Sequence, residues 1–148
     1  MQWLEQHFEE ETQVGALRAV PTFAEYSVEE LRLVDALTLE LNMPPRRVLA
    51  ETGSRANQVL FLVGGFALVM RDSHIVGTLG PGACIGGHEV LADRPHETTV
   101  TADGPVVVRV ATERAFLSLV EGIPRLARQV APRIAGDTGC DETRRDSQ

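Results

Sequence analysis

The chain contains no lysine: its fourteen basic residues are all arginine, and twenty-one Asp and Glu leave a formal net charge of −7. This scarcity of positive charge argues against a nucleic-acid partner. Neutralising phosphates takes clustered cations, and only Arg46-Arg47 and Arg144-Arg145 stand together. Two cysteines, Cys84 and Cys140, are too few for a disulfide framework and fit a reducing compartment, so a cytoplasmic setting is expected. Long apolar runs are missing, so no segment reads as a membrane span. Met1-Gln-Trp-Leu-Glu, with four glutamates by position 11, lacks the chemistry of a signal peptide. There is no phosphate-binding P-loop, no dinucleotide fingerprint and no Ser-His-Asp elbow, and thus no support for an enzyme.

What is present is a chain of 148 residues, 43% apolar, enough for the core of one domain. Residues 3–18 carry Trp3, Leu4, Phe8, Val14 and Leu17 at helical spacing, with Glu5, Glu9, Glu10 and Glu11 between them, which predicts an acidic amphipathic helix. Ser27-Val-Glu-Glu30 is a capping box opening a second helix with Leu31, Val34 and Leu37 as its buried stripe. From Leu37 the period becomes two: Leu37, Leu39 and Leu41 alternate with polar residues until Pro44-Pro45. Short strands then follow at 47–51, 58–63, 66–71, 74–79, 98–102 and 106–111. Gly53, Gly64-Gly65, Asp72-Ser73 and Asp103-Gly104 separate them as turns. Strands so spaced, with no helices between, predict a sandwich or barrel. Thr112 caps a helix bearing Phe116, Leu119 and Val120. Gly122-Ile-Pro124 breaks it, and a last helix bears Leu126, Val130 and Ile134, with Pro132 expected to kink or shorten it.

The segment from Gly77 to Val100 fits neither an ordinary strand nor an ordinary helix. Gly86 and Gly87 allow close backbone approach, Val90-Leu91 starts a helical turn, and Pro95 stops it before Thr98-Thr99-Val100. A short helix that follows glycines offers free N–H groups and a positive dipole end. The run Leu79-x-x-Gly82-x-x-Ile85-Gly86, then Val90-Leu91, Pro95 and Thr99-Val100, resembles the phosphate-binding cassette of cyclic-nucleotide-binding domains. Such domains occur in catabolite-activator-type regulators and kinase regulatory subunits. The resemblance covers roughly residues 20–135, including Gly53 and a Val63-Gly64-Gly65-Phe66 hairpin.

It implies a mainly β fold with flanking helices: a jelly-roll-like β-barrel with N- and C-terminal α-helices. One domain is expected over residues 1–135, helical to 36, barrel over 37–111 and helical again over 112–135, with a disordered tail at 136–148. The pocket candidates are Gly86, Gly87, His88, Glu89, Arg94, His96, Glu97, Thr98 and Thr99. Four of them depart from the family. Gly87 stands where a glutamate takes the ribose hydroxyl, and His96 stands where an arginine takes the cyclic phosphate. Glu89 and Glu97 replace small residues whose N–H groups meet that phosphate. A hydrogen bond to a charged group contributes about 1.5–3 kcal/mol. Two carboxylates about 4 Å from a phosphate, at an effective dielectric of about 20, repel it by several kcal/mol in total. The cassette therefore reads as degenerate, with Arg94 and a protonated His96 as replacement charges offset by neighbouring glutamates, and with Gly87→Glu and His96→Arg among the exchanges that would repair it.

Three readings follow. The first is a non-catalytic regulatory or ligand-sensing domain whose small-molecule ligand is neither cAMP nor cGMP. The second is a protein-interaction or assembly module with an empty pocket. The third is a cupin-like metal-binding jelly roll using His88, Glu89, His96 and His74, whose spacing lacks the cupin His-x-His. Cys84, before the glycines, reads as a buried inert thiol. No cofactor, nucleic acid or membrane is expected. A homodimer through Trp3, Phe8, Leu17 and the terminal helices is.

Overall fold

The computed structural model describes residues 14–136, and side chains through residue 130. The expected N-terminal helix up to residue 13 and the expected tail beyond 136 lie outside the described residues. Residues 14–17 are helical. α1 (Val28–Leu37) opens on the capping box read from the sequence: Glu30 N–H donates to Ser27 Oγ (3.1 Å) while Ser27 N–H donates to Glu30 Oε1 (2.9 Å). Six strands follow, β1 (Leu39–Met43), β2 (Val48–Ala50), β3 (Gln58–Arg71), β4 (His74–Leu79), β5 (Cys84–Ile85) and β6 (Thr99–Thr112). A short helix α2 (Gly87–Ala92) lies between β5 and β6, and α3 (Glu113–Gly122) and α4 (Arg125–Gly136) end the described chain.

The fold is a mainly antiparallel β roll with flanking helices. Its sheet runs β1-β6-β3-β4, with β2 also on β6 and β5 on β3, and the path is not closed. Two expected turns are not turns. β3 runs unbroken through Gly64-Gly65, and β6 through Asp103-Gly104, because the two strands pair with each other along nearly their whole length. The register slips between Leu62 and Gly64 and again before Phe66. Gly65 sits at φ +87°, and a Cβ there would lie 2.5 Å from Pro105 O. The glycines thus form an irregular bend at a close strand approach, which curls the sheet, and not a hairpin. The hairpin is instead β3–β4, turning at Asp72-Ser73.

Alternation along β3, β5 and β6 feeds two cores on opposite faces of the sheet. Val59, Phe61, Cys84 and Ala111 face the helices and pack with Phe23, Tyr26, Leu31, Phe116, Leu119, Leu126 and Val130. Leu60, Leu62, Ile85, Val106 and Val108 face into the roll with Val100 and Ala102. Leu17 lies in the helical core at 3% exposure, so it is not part of the free helical stripe expected to hold a dimer. Leu39 and Leu41, expected on a buried face, are 64% and 37% exposed because β1 is the outermost strand on its side of the sheet. α4 continues past Pro132 to Gly136.

One buried cation ties helix to sheet. Arg109 on β6 donates from Nε to Thr38 Oγ1 (2.6 Å), and from Nη2 to Asp35 Oδ1 (3.1 Å) and to Thr38 O (3.3 Å). Its Nη1 reaches Glu40 Oε1 at 3.4 Å. These contacts satisfy most of the guanidinium and close the C-terminal end of α1 onto β1 and β6.

Candidate functional site

The cassette read from the sequence forms one local unit. Gly86, at φ +93°, turns the chain out of β5, α2 makes fewer than two full turns, and Asp93, at φ +55°, ends it in the left-handed conformation. Pro95 bridges Arg55, Gly53 N–H donates to His96 O (2.8 Å), and His96 N–H donates to Ser54 O (3.0 Å), so the cassette exit is clamped to the loop after β2. Thr52 N–H donates to Thr99 Oγ1 (3.1 Å), and the two hydroxyls share a 2.9 Å hydrogen bond. On its other side, the loop leading into β5 is held by Thr22, whose hydroxyl donates to Gly82 O. Thr22 O in turn accepts from Gln129 on α4 (3.0 Å), and Gln129 Oε1 accepts from Tyr26 (2.6 Å).

Gly87 faces the helices. A Cβ on it would lie 2.6 Å from Val130 Cγ1, 2.8 Å from Cys84 Sγ and 3.2 Å from Phe116 Cζ. The start of α2 is therefore packed under α4, and Gly87→Glu, which the sequence offered as a repair, would drive a carboxylate into the helical core. The His96 ring lies beside Gly86, its Cε1 3.5 Å from where a Cβ on that glycine would sit. Arg94 Nη2 donates to His88 Nε2 (3.3 Å) and lies 3.6 Å from Glu97 Oε2, both on an exposed surface where such pairs contribute little. Thr98 is half-buried and precedes β6.

The structure thus divides the nine candidates. Gly86 and His96 meet, His88, Arg94 and Glu97 form a surface chain, Thr99 joins Thr52, and Gly87 is sealed under Val130. Glu89 borders a cavity of about 220 Å³ with Asp93 and Arg94 and with Gly53, Arg55 and Glu113. Of the last three, Gly53 was read from the sequence only as a turn and a point of family resemblance, and Arg55 and Glu113 were not singled out at all. They come from the loop after β2 and the start of α3, and no spacing signal links them to the cassette. His74 lies at the β3–β4 turn, donating from Nδ1 to Asp72 O (2.8 Å). Among the described residues no three His, Cys, Asp or Glu side chains converge as metal ligands. No helix among them is long and apolar enough to cross a membrane.

The profile of the cyclic nucleotide-binding domain matches residues 40–122, more than half of the chain and including the whole cassette. The chain belongs to that family. Solved structures share its fold. The structure described as cAMP-bound PfPKA-R superposes with a TM-score of 0.70 at 18% identity over 90% of this chain and 49% of its own. The regulatory domain of Toxoplasma gondii PKA with cAMP gives 0.69 at 14% over 81% of this chain and 48% of its own. A PKAR CBD2 bound to Sp-2Cl-cAMPS gives 0.69 at 17% over 89% and 92%. The chain spans about half the length of the first two. No curated protein matches it.

Proposed function

We propose that this chain is a non-catalytic regulatory or ligand-sensing domain whose cassette does not take cAMP or cGMP in the family's manner. The observation that carries this is Gly87: it supplies no ribose acceptor, and its position under Val130, Cys84 and Phe116 leaves no room for one. His96 in place of an arginine, with Glu89 and Glu97 nearby, adds to the case, since together they withdraw the phosphate's partner and repel its charge. The net charge of −7 supports a role without nucleic acid, and a cytoplasmic setting fits the low cysteine count.

Thermal denaturation tests the reading. With 1 mM cAMP or cGMP the midpoint should not move. A site with a dissociation constant of about 10 μM would add about 2.7 kcal/mol under those conditions, and a rise of several degrees would refute the proposal. A second reading, a module that binds a second copy or another protein, is favoured by Leu39 and Leu41, which stand exposed on the outermost strand β1. Light scattering at tens of micromolar should then give more than a monomer mass, and Leu41→Lys should return it to monomer.

A further inference from the structure

We propose that the outer face of the sheet formed by β2, β6, β3 and β4 docks onto the same face of a second copy of this chain. The surface is separate from the cassette and from Leu39 and Leu41 on β1, so either of those can fail without it. Residues directly opposite one another on antiparallel strands share a face of the sheet. Val48 stands opposite Thr101, Thr101 opposite Leu68 and Leu68 opposite Thr78, a row that crosses all four strands. Two residues away along β3 on either side, Phe66 stands opposite Asp103, and Met70 stands between Thr99 and Ile75. The intervening Ala67 and Val69 point the other way, into the core of the roll with Val100 and Ala102.

Outward positions on the sheets of a β sandwich are ordinarily polar. Here Val48, Phe66 and Ile75 are 51%, 54% and 61% exposed, and Leu68 and Met70 lie half-buried between them. The polar residues within this face are threonines, and its one charge is Asp103 at the Phe66 end. Contiguous apolar surface of this kind, outside the core and outside the candidate site, marks an interaction surface.

Shape, charge and area select a second copy as the occupant. Sheets pack face to face about 10 Å apart with interleaved side chains, so a flat apolar sheet face is matched by another sheet. The rim carries both signs at each end: Arg46, whose N–H donates to Ala102 O, lies with Arg47 and Asp103 at one, and Arg71 lies with Asp72 at the other. None of these three arginines forms an ion pair with a described residue. Such a rim offers no net attraction to a strongly acidic or basic partner, whereas an identical face brings both signs to it. Four strands about 4.8 Å apart, and β3 from Phe66 to Arg71 at about 3.3 Å per residue, project roughly 400 Å². That is below the roughly 800 Å² per partner of a standard stable interface, so the dimer is a weak one.

Sedimentation velocity of the full chain over a concentration series from about 10 to 500 μM tests this, with a dimer dissociation constant of about 100 μM expected for an interface of this size. Phe66→Glu and Ile75→Lys, both at exposed positions, should each weaken dimerisation at least tenfold while leaving the melting midpoint of the monomer nearly unchanged. Leu41→Lys on β1 should leave the dimer intact. A second measurement needs no variant: amide NMR spectra of the wild type over the same series should shift at Val48, Leu68, Thr78 and Thr101 and stay fixed along α1. A monomer mass at every concentration would overturn the proposal. So would a dimer that Leu41→Lys dissociates and Phe66→Glu does not, or concentration-dependent shifts confined to β1 or to the helices.

Discussion

Replacing Gly87 with alanine probes the packing at the start of α2 on which the proposed function rests. Gly87 has no positive φ and stands at the first position of α2, where alanine would ordinarily gain up to about 1 kcal/mol over glycine. The added methyl would instead meet Val130 Cγ1 at 2.6 Å and Cys84 Sγ at 2.8 Å, with Phe116 Cζ behind them at 3.2 Å. Val130 is β-branched, stiff and 1% exposed, so it has nowhere to go without moving α4. Overpacking of this kind costs about 1–3 kcal/mol, which for a domain of this size lowers the melting midpoint by several degrees. Val130→Ala alone should also destabilise, by about 2 kcal/mol, through the cavity it leaves. The double variant should lose at least about 1 kcal/mol less than the sum, because each change relieves the other. Chemical denaturation of the four proteins gives the cycle. A neutral or stabilising Gly87→Ala, or strict additivity, would refute the claim that α4 closes on Gly87.

Three further outcomes are expected. Arg109→Ala should cost about 3 kcal/mol in urea denaturation, since it leaves Asp35 and Thr38 without their shared donor, whereas Arg109→Met, which keeps the buried stem, should lose less. The Tyr26 hydroxyl is pushed up to about 12 by burial, with Glu30 and Cys84 adding to the rise and Arg125 opposing it. The folded chain therefore holds this proton more tightly than the unfolded one. Stability from this source is complete below pH 10 and is lost as pH climbs through 12, and melting curves of Tyr26→Phe should not show that alkaline loss. Ser27→Ala should cost about 1 kcal/mol by removing the acceptor for Glu30 N–H at the start of α1, with no change in any binding titration.

Local chemistry was legible where the interactions are local. The Ser27 capping box, the Thr112 cap, the β3–β4 turn at Asp72-Ser73 and the helical turn after Gly86 all depend on neighbours within a few residues, and each sits where the sequence placed it. Gly64-Gly65 was misread because its composition is that of a hairpin turn. Only the pairing of β3 with the distant β6 makes it a bend inside a strand. Leu39 and Leu41 alternate as a half-buried strand should, yet burial depends on a neighbour that β1 lacks on its outer side. The same limit hid half of the candidate cavity's lining. Glu89 and Arg94 could be named from the cassette, but Arg55 and Glu113 join them only through the clamp between the loop after β2 and the cassette exit.

The account turns on whether the cassette still holds a cyclic nucleotide. Isothermal calorimetry of the wild-type protein with cAMP and with cGMP, carried to millimolar ligand, addresses it without any mutation. The expected result is heat of dilution alone, which places any affinity weaker than about −4 kcal/mol. A saturable isotherm with a micromolar dissociation constant would contradict it and would mean that the cassette binds without the glutamate and arginine it lacks.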